Sequence, residues 1–179
     1  YSIPADNPFV DTPGARGEIW AYGLRNPWRL TYDPTANQLW VGNNGQDLWE
    51  SIYLIERGAN YGWSIRESNH PFHTEQDPGP APISPATYEH HHSEARSLTG
   101  GHVYRGARFP ELTGAYVYGD YATGNVWAIR HDGRQITRQW QLARSSAQIT
   151  GFGDEQHTVA VDAKARDLQL VPNPAESRS

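Results

Sequence analysis

Three groups of residues carry side chains with chemistry to offer: the triplet Arg25-Asn26-Pro27, the turn Asn43-Asn44-Gly45-Gln46-Asp47 with Glu50 just beyond it, and the run Glu89-His90-His91-His92-Ser93-Glu94 with His70 and His73 upstream. An arginine beside an amide suits an anion, because the guanidinium presents five donors in a rigid fork. The turn suits a hard cation such as calcium, which accepts backbone carbonyls, amide oxygens and carboxylates in irregular geometry. Imidazoles suit a transition metal. In an extended chain, though, His90 and His92 share a face while His91 points away, and no second motif completes a tetrahedron. Each group also has a plainer reading. Arg25 and Asn26 can simply tie a loop down, the turn can be an ordinary one followed by a capping carboxylate, and the histidines can belong to a polar loop.

Other chemistries are excluded. Without cysteine there is no disulfide, thiolate metal site or cysteine nucleophile. Gly-x-Ser-x-Gly is absent, and the only lysine, Lys164, belongs to no phosphate-binding loop. The net charge of -5 gives no footprint for nucleic acid, and no apolar run approaches the ~20 residues of a membrane span. With 37% hydrophobic and 12% aromatic residues over 179 positions, the chain is expected to fold around a substantial core. It starts at Tyr1 without a leader-like segment and reads as a piece of a longer product.

The elements that must position these groups are short aromatic and β-branched runs between Gly, Pro, Asn and Asp clusters. They are Glu18–Tyr22, Arg29–Tyr32, Gln38–Val41, Ser51–Ile55, His102–Arg105, Ala115–Tyr118, Asn125–Ile129, Gln135–Leu142, Thr158–Val161 and Asp167–Val171. No segment has a capped helical period, so the class is all-β. Gly23 breaks the chain before Arg25, and Pro27 pushes Asn26 into extended geometry, which puts the triplet at a strand entrance. Leu30-Thr-Tyr-Asp-Pro through Leu39-Trp-Val-Gly and Gly114-Ala-Tyr-Val-Tyr through Asn125-Val-Trp repeat one rhythm of aromatic strand, turn and aromatic strand, as propeller blades do. About three blades fit; a small sandwich is the alternative if the chain is complete. Ser64 to Gly100, with five prolines and five of the eight histidines, reads as one long ordered loop, and 172–179 as a linker.

Taken in order, Glu18-Ile-Trp-Ala-Tyr-Gly-Leu-Arg-Asn-Pro-Trp-Arg29, Leu39-Trp-Val-Gly-Asn-Asn-Gly-Gln-Asp-Leu-Trp-Glu50, Gly58-Ala-Asn-Tyr-Gly-Trp63, Thr99-Gly-Gly-His-Val-Tyr-Arg-Gly106 and Tyr116-Val-Tyr-Gly-Asp-Tyr121 resemble the glucose/sorbosone dehydrogenase family. The resemblance runs from about Tyr1 to Pro174, with the domain placed at 1–171, and covers the later half of that family's domain. It implies about three blades of a six-bladed propeller. In the enzymes such a propeller holds pyrroloquinoline quinone and calcium over its channel and oxidises a sugar, in the periplasm or outside the cell. It places Arg25, Asn26 and Asn44 at the cofactor, with Arg25 stabilising charge on the quinone as it is reduced. Gly45 and Gln46 fall where backbone carbonyls meet the cofactor's calcium, and Glu50 with Tyr61 at a second, structural calcium. The base histidine lies upstream of this chain. This chain departs from the enzymes where their cofactor-pairing lysine aligns, near Ala122 with no lysine at hand, and where their arginine pair would fall, near Ser146 and Gln148, with Arg144 close by but out of register. A cytochrome c domain follows this point in some longer relatives. The alternative implied by the same family is a non-catalytic propeller that binds a glycan or a protein partner. An open half-propeller is expected to self-associate through its bare blade face.

Overall fold

The computed structural model describes residues 1–155, 158–163 and 168–170. Apart from a 3-10 turn at Pro110–Leu112, every regular element among them is a strand. Strands β1 (Pro27–Asp33), β2 (Gln38–Asn43), β3 (Trp49–Leu54) and β6 (Tyr88–His91) form one antiparallel sheet in that order, while β4 (Arg66–Glu67) and β5 (His70–Pro71) make a separate hairpin between β3 and β6. The second sheet runs β7 (Leu98–Val103), β8 (Tyr116–Asp120), β9 (Asn125–His131), β10 (Ile136–Ser145) and then β13 (Leu168–Leu170). Strands β11 (Ile149–Glu155) and β12 (Thr158–Ala163) pair with each other.

The first strands of the three sheets lie side by side, β1 against β7 and β7 against β11. Sheets radiating from neighbouring first strands make blades, so the described residues hold two blades and the opening hairpin of a further one, an all-β propeller arrangement as expected. Side chains stitch the inner strands together. The Thr31 hydroxyl donates to the Gly101 carbonyl at 2.6 Å, Thr99 to Ile149 O at 2.6 Å, and Arg29 Nη1 to Phe152 O at 2.8 Å.

Between the two blades lies the main core, where Trp40 and Ile52 of the first meet Leu98, Tyr116, Tyr118, Trp127 and Ile129 of the second. Trp40 stacks on Tyr116 at 4.8 Å. Each such side chain removed from water contributes about 1.5–3 kcal/mol, which favours the blade pair over either sheet alone. Gly42 on β2 comes so close to β7 that a Cβ there would lie 2.6 Å from Gly100 Cα.

Two expectations need correction. Glu18–Tyr22 alternates but forms no strand; its one pairing is an isolated bridge from Tyr22 to Asn60. Alternation gives a segment two faces but no partner, and the innermost place in the sheet is taken by β1. Ser64–Gly100 is not a single long loop, because it contains β4, β5, β6 and the start of β7. The Val-poor, histidine-rich Tyr88–His91 is a strand because β3 offers it a free edge, pairing Glu50 with His90. The expected linker, 172–179, lies outside the described residues.

Candidate functional site

The triplet stands at the entrance to β1, where Pro27 pairs with Asn43 at the end of β2. Backbone bonds clamp Asn26 to the β2–β3 turn: its N–H donates to Asn43 Oδ1 at 3.0 Å and its carbonyl accepts from Asn44 N at 3.0 Å. The Asn26 residue is otherwise exposed. Arg25 folds over the same turn. Its Nε and Nη2 donate to Gln46 Oε1 at 3.1 and 2.5 Å, Nη1 donates to Asn44 O at 3.2 Å, and the guanidinium sits 5.5 Å above the Trp63 ring. Three of its five N–H groups are thereby committed and two remain free.

The turn owes its shape to Glu67. This buried carboxylate accepts from Gln46 N at 2.5 Å, Asp47 N at 2.6 Å and Leu48 N at 3.2 Å. Three consecutive N–H groups converging on one carboxylate form an anion-binding nest filled from within the chain. Gly45 is the only residue type that fits, since a Cβ would fall 1.9 Å from Trp49 O and 2.6 Å from Glu67 Oε1. With the turn's N–H groups drawn towards Glu67, the carbonyls of Gly45 and Gln46 accept no hydrogen bond from the described residues. Asn44 Oδ1 is buried with no partner, while Asn44 Nδ2 reaches Ser97 Oγ at 3.5 Å on the next blade. Sequence reasoning missed Glu67, because nothing local marks an acid about twenty positions from the turn it holds.

The side chains of Glu50 and Tyr61 take different partners. Glu50 is 1% exposed, with Oε1 2.9 Å from His92 Nε2 and Oε2 accepting from Leu98 N at 3.0 Å. Burial pushes its pKa up, against the pull of Leu98 N and His92. The Tyr61 hydroxyl instead donates to Leu54 O at 3.1 Å and accepts from Glu56 N at 2.8 Å, at the far end of β3, about 13 Å along the strand from Glu50.

The histidines are dispersed, four of them each on its own carboxylate. His70 meets Glu89 at 2.9 Å, His73 meets Glu75 at 3.3 Å, His90 meets Glu94 at 3.0 Å and His92 meets Glu50 at 2.9 Å. His91 is exposed and bonds Ser93. Among the described residues, no three His, Cys, Asp or Glu side chains are grouped to hold a metal ion.

Buried Asp120 shapes the neighbouring loops at the same end of the sheets, accepting from Arg96 N, Ser97 N, Ala122 N and Thr123 N. Tyr121 donates to Gln148 Oε1 at 2.9 Å. Ala122 and Ser146 are exposed, and Arg144 lies on β10, three strands out from the inner edge. Of the cationic side chains near this end, Arg25 is the one bonded to the turn; Arg66 borders the same small pocket, and Arg96 Nε donates to His92 O. A flat, pre-positioned guanidinium with two free N–H groups, beside three oxygens that lack donors, can hold a planar anion together with a hard cation.

A family profile described as Glucose / Sorbosone dehydrogenase matches residues 1–151. The HIPL1 protein of Arabidopsis thaliana is 41% identical over 142 residues, which is 72% of this chain and 20% of that protein. The aldose sugar dehydrogenase YliI of Escherichia coli (strain K12) is 44% identical over 63 residues, 35% of this chain and 17% of its own length. A crystal structure of glucose dehydrogenase superposes with a TM-score of 0.74 at 24% identity, covering 94% of this chain and 50% of that one. The chain thus spans half of a solved relative and a smaller share of the curated ones.

Proposed function

The chain belongs to the glucose/sorbosone dehydrogenase family, and on that premise we propose that it supplies one wall of a sugar-oxidising site that works with pyrroloquinoline quinone and calcium. The observation that carries the proposal is Arg25, held flat by Gln46, Asn44 O and Trp63 with two N–H groups to offer.

The residues present fit such a group. Arg25 and the exposed Asn26 would meet its anionic edge. Asn44 Oδ1 and the carbonyls of Gly45 and Gln46 provide oxygen donors of the kind calcium selects. When bound, such a quinone would supply the two-electron acceptor for a hydride leaving the sugar carbon. The protein's part is positional and electrostatic. Glu67 fixes the turn, the turn fixes Arg25, and the guanidinium sits ready to offset negative charge without reorganising. The whole protein's reaction, its sugar and a periplasmic or extracellular setting belong to this same reading.

Calorimetric titration of pyrroloquinoline quinone into the full-length protein with millimolar calcium tests it. Saturable binding in the micromolar range, weakened at least tenfold in Arg25→Ala, is the expected result. No heat at tens of micromolar overturns the proposal and leaves a propeller that binds a partner.

A further inference from the structure

The seam between the outer strands of the two blades holds a cavity of about 370 Å³, on β6, β9 and β10 and away from the inner strands. That volume is in the range of sites for small organic ligands. Its walls include Tyr88, Glu94, Asn125, Trp127, Gln139 and Gln141.

Hydrogen bonds position the polar groups, with the Glu94 side chain 63% exposed at the rim. Gln141 Nε2 donates to Asn125 Oδ1 at 2.9 Å, and Asn125 Nδ2 donates to the Glu94 carbonyl at 3.0 Å. Beneath them His90, 1% exposed, bonds Glu94 Oε2 at 3.0 Å through Nδ1 and the Tyr118 hydroxyl at 2.9 Å through Nε2. This relay orients Glu94 and Gln141 while leaving Glu94 Oε1, Gln141 Oε1 and the Tyr88 hydroxyl without bonds to the described residues.

The chemistry of the lining narrows the ligand. With no Arg or Lys among the lining residues, an anion has no counter-charge there. A hydrocarbon would desolvate the amides and the carboxylate without replacing their hydrogen bonds. A quaternary ammonium wants several open aromatic faces, whereas the Trp127 ring is packed by His90 at 4.3 Å and Tyr118 at 5.5 Å. A neutral polyhydroxylated ring satisfies all the groups at once: its C–H face lies on the half-buried Tyr88 ring, and adjacent hydroxyls donate to Glu94 Oε1 and Gln141 Oε1. We propose that this seam is a saccharide pocket for a single hexose or the terminal unit of a glycan, separate from the site around Arg25.

Methyl hexopyranosides are the probes, because their anomeric carbon is blocked and binding cannot report on sugar oxidation. Titrated into the 15N-labelled full-length protein, at least one of the glucoside, galactoside or mannoside is expected to shift the side-chain amide signals of Gln139 and Gln141 and the Trp127 indole signal, saturating at millimolar concentration. Gln141→Ala and Glu94→Gln should each weaken that binding about tenfold with an unchanged melting temperature. Tyr88→Leu should also weaken it, and serves as the check if Gln141→Ala does not fold. Absence of saturable shifts with all three glycosides overturns the proposal. So does binding that survives these substitutions, or a stronger response to tetramethylammonium.

Discussion

Glu67 gives the clearest residue-scale test, since one buried carboxylate carries three backbone N–H groups of the turn under Arg25. Glu67→Gln replaces a charged acceptor with a neutral amide, and a loss of about 2–3 kcal/mol is expected from the urea midpoint. Arg25→Lys keeps the charge and loses the fork; micromolar quinone binding should weaken by about tenfold or more in calorimetry, with stability little changed. His90 sets a pH dependence. Burial pushes its pKa down, with Glu94 and Asp120 opposing. The unfolded imidazole takes a proton near pH 6.5 that the folded one resists, so stability present above about pH 6.5 is lost as pH falls towards the lower folded value. Glu50 acts the other way, because burial raises its pKa and its contribution is lost as pH rises through the folded value. Denaturant midpoints at pH 7.5 and 5.5 should therefore differ less for His90→Gln than for the unaltered chain. The Arg25-Asn26-Pro27 triplet was legible because proline and glycine punctuate it locally. Glu67 was not, because only the folded chain brings it to the turn.

At the scale of elements, the sequence patterns located most strands and failed where pairing, not pattern, decides. Glu18–Tyr22 had the alternation without an edge to join, whereas Tyr88–His91 had an edge and little strand-like composition. The same dependence on neighbours governs β2 and β7, whose backbones meet at Gly42 and Gly100. Gly42→Ala puts a methyl where a backbone already lies, so the blades must part; a loss of about 1–3 kcal/mol is expected in thermal or urea unfolding. By contrast Gly133→Ala has nothing within 4 Å to meet, though its φ of +95° strains any larger residue. A Gly42→Ala variant as stable as the parent would show that the blades do not approach as closely as described.

At the scale of the whole molecule, β1 presents a bare apolar face. Trp28, Leu30 and Tyr32 alternate along β1 and are 64%, 58% and 54% exposed, while Thr31 and Asp33 on the opposite face are buried against the second blade. An apolar stripe on an innermost strand favours association, so the isolated chain is expected to form dimers or larger species in light scattering, and Trp28→Ser with Leu30→Ser to shift it towards monomer. A monomeric parent chain would contradict this. The other face of β1 bears on how the molecule is made. Arg29 Nη1 bonds Phe152 O, a partner 123 residues later, and Arg29 Nε is buried with no partner. At 5–20 residues per second, a ribosome needs roughly 6–25 s to deliver that partner after Arg29 emerges. During that interval the guanidinium must stay hydrated, which keeps the inner edge of the first blade unsealed. The first blade therefore waits for the third, and a nascent chain halted before Phe152 should remain open to protease along β1.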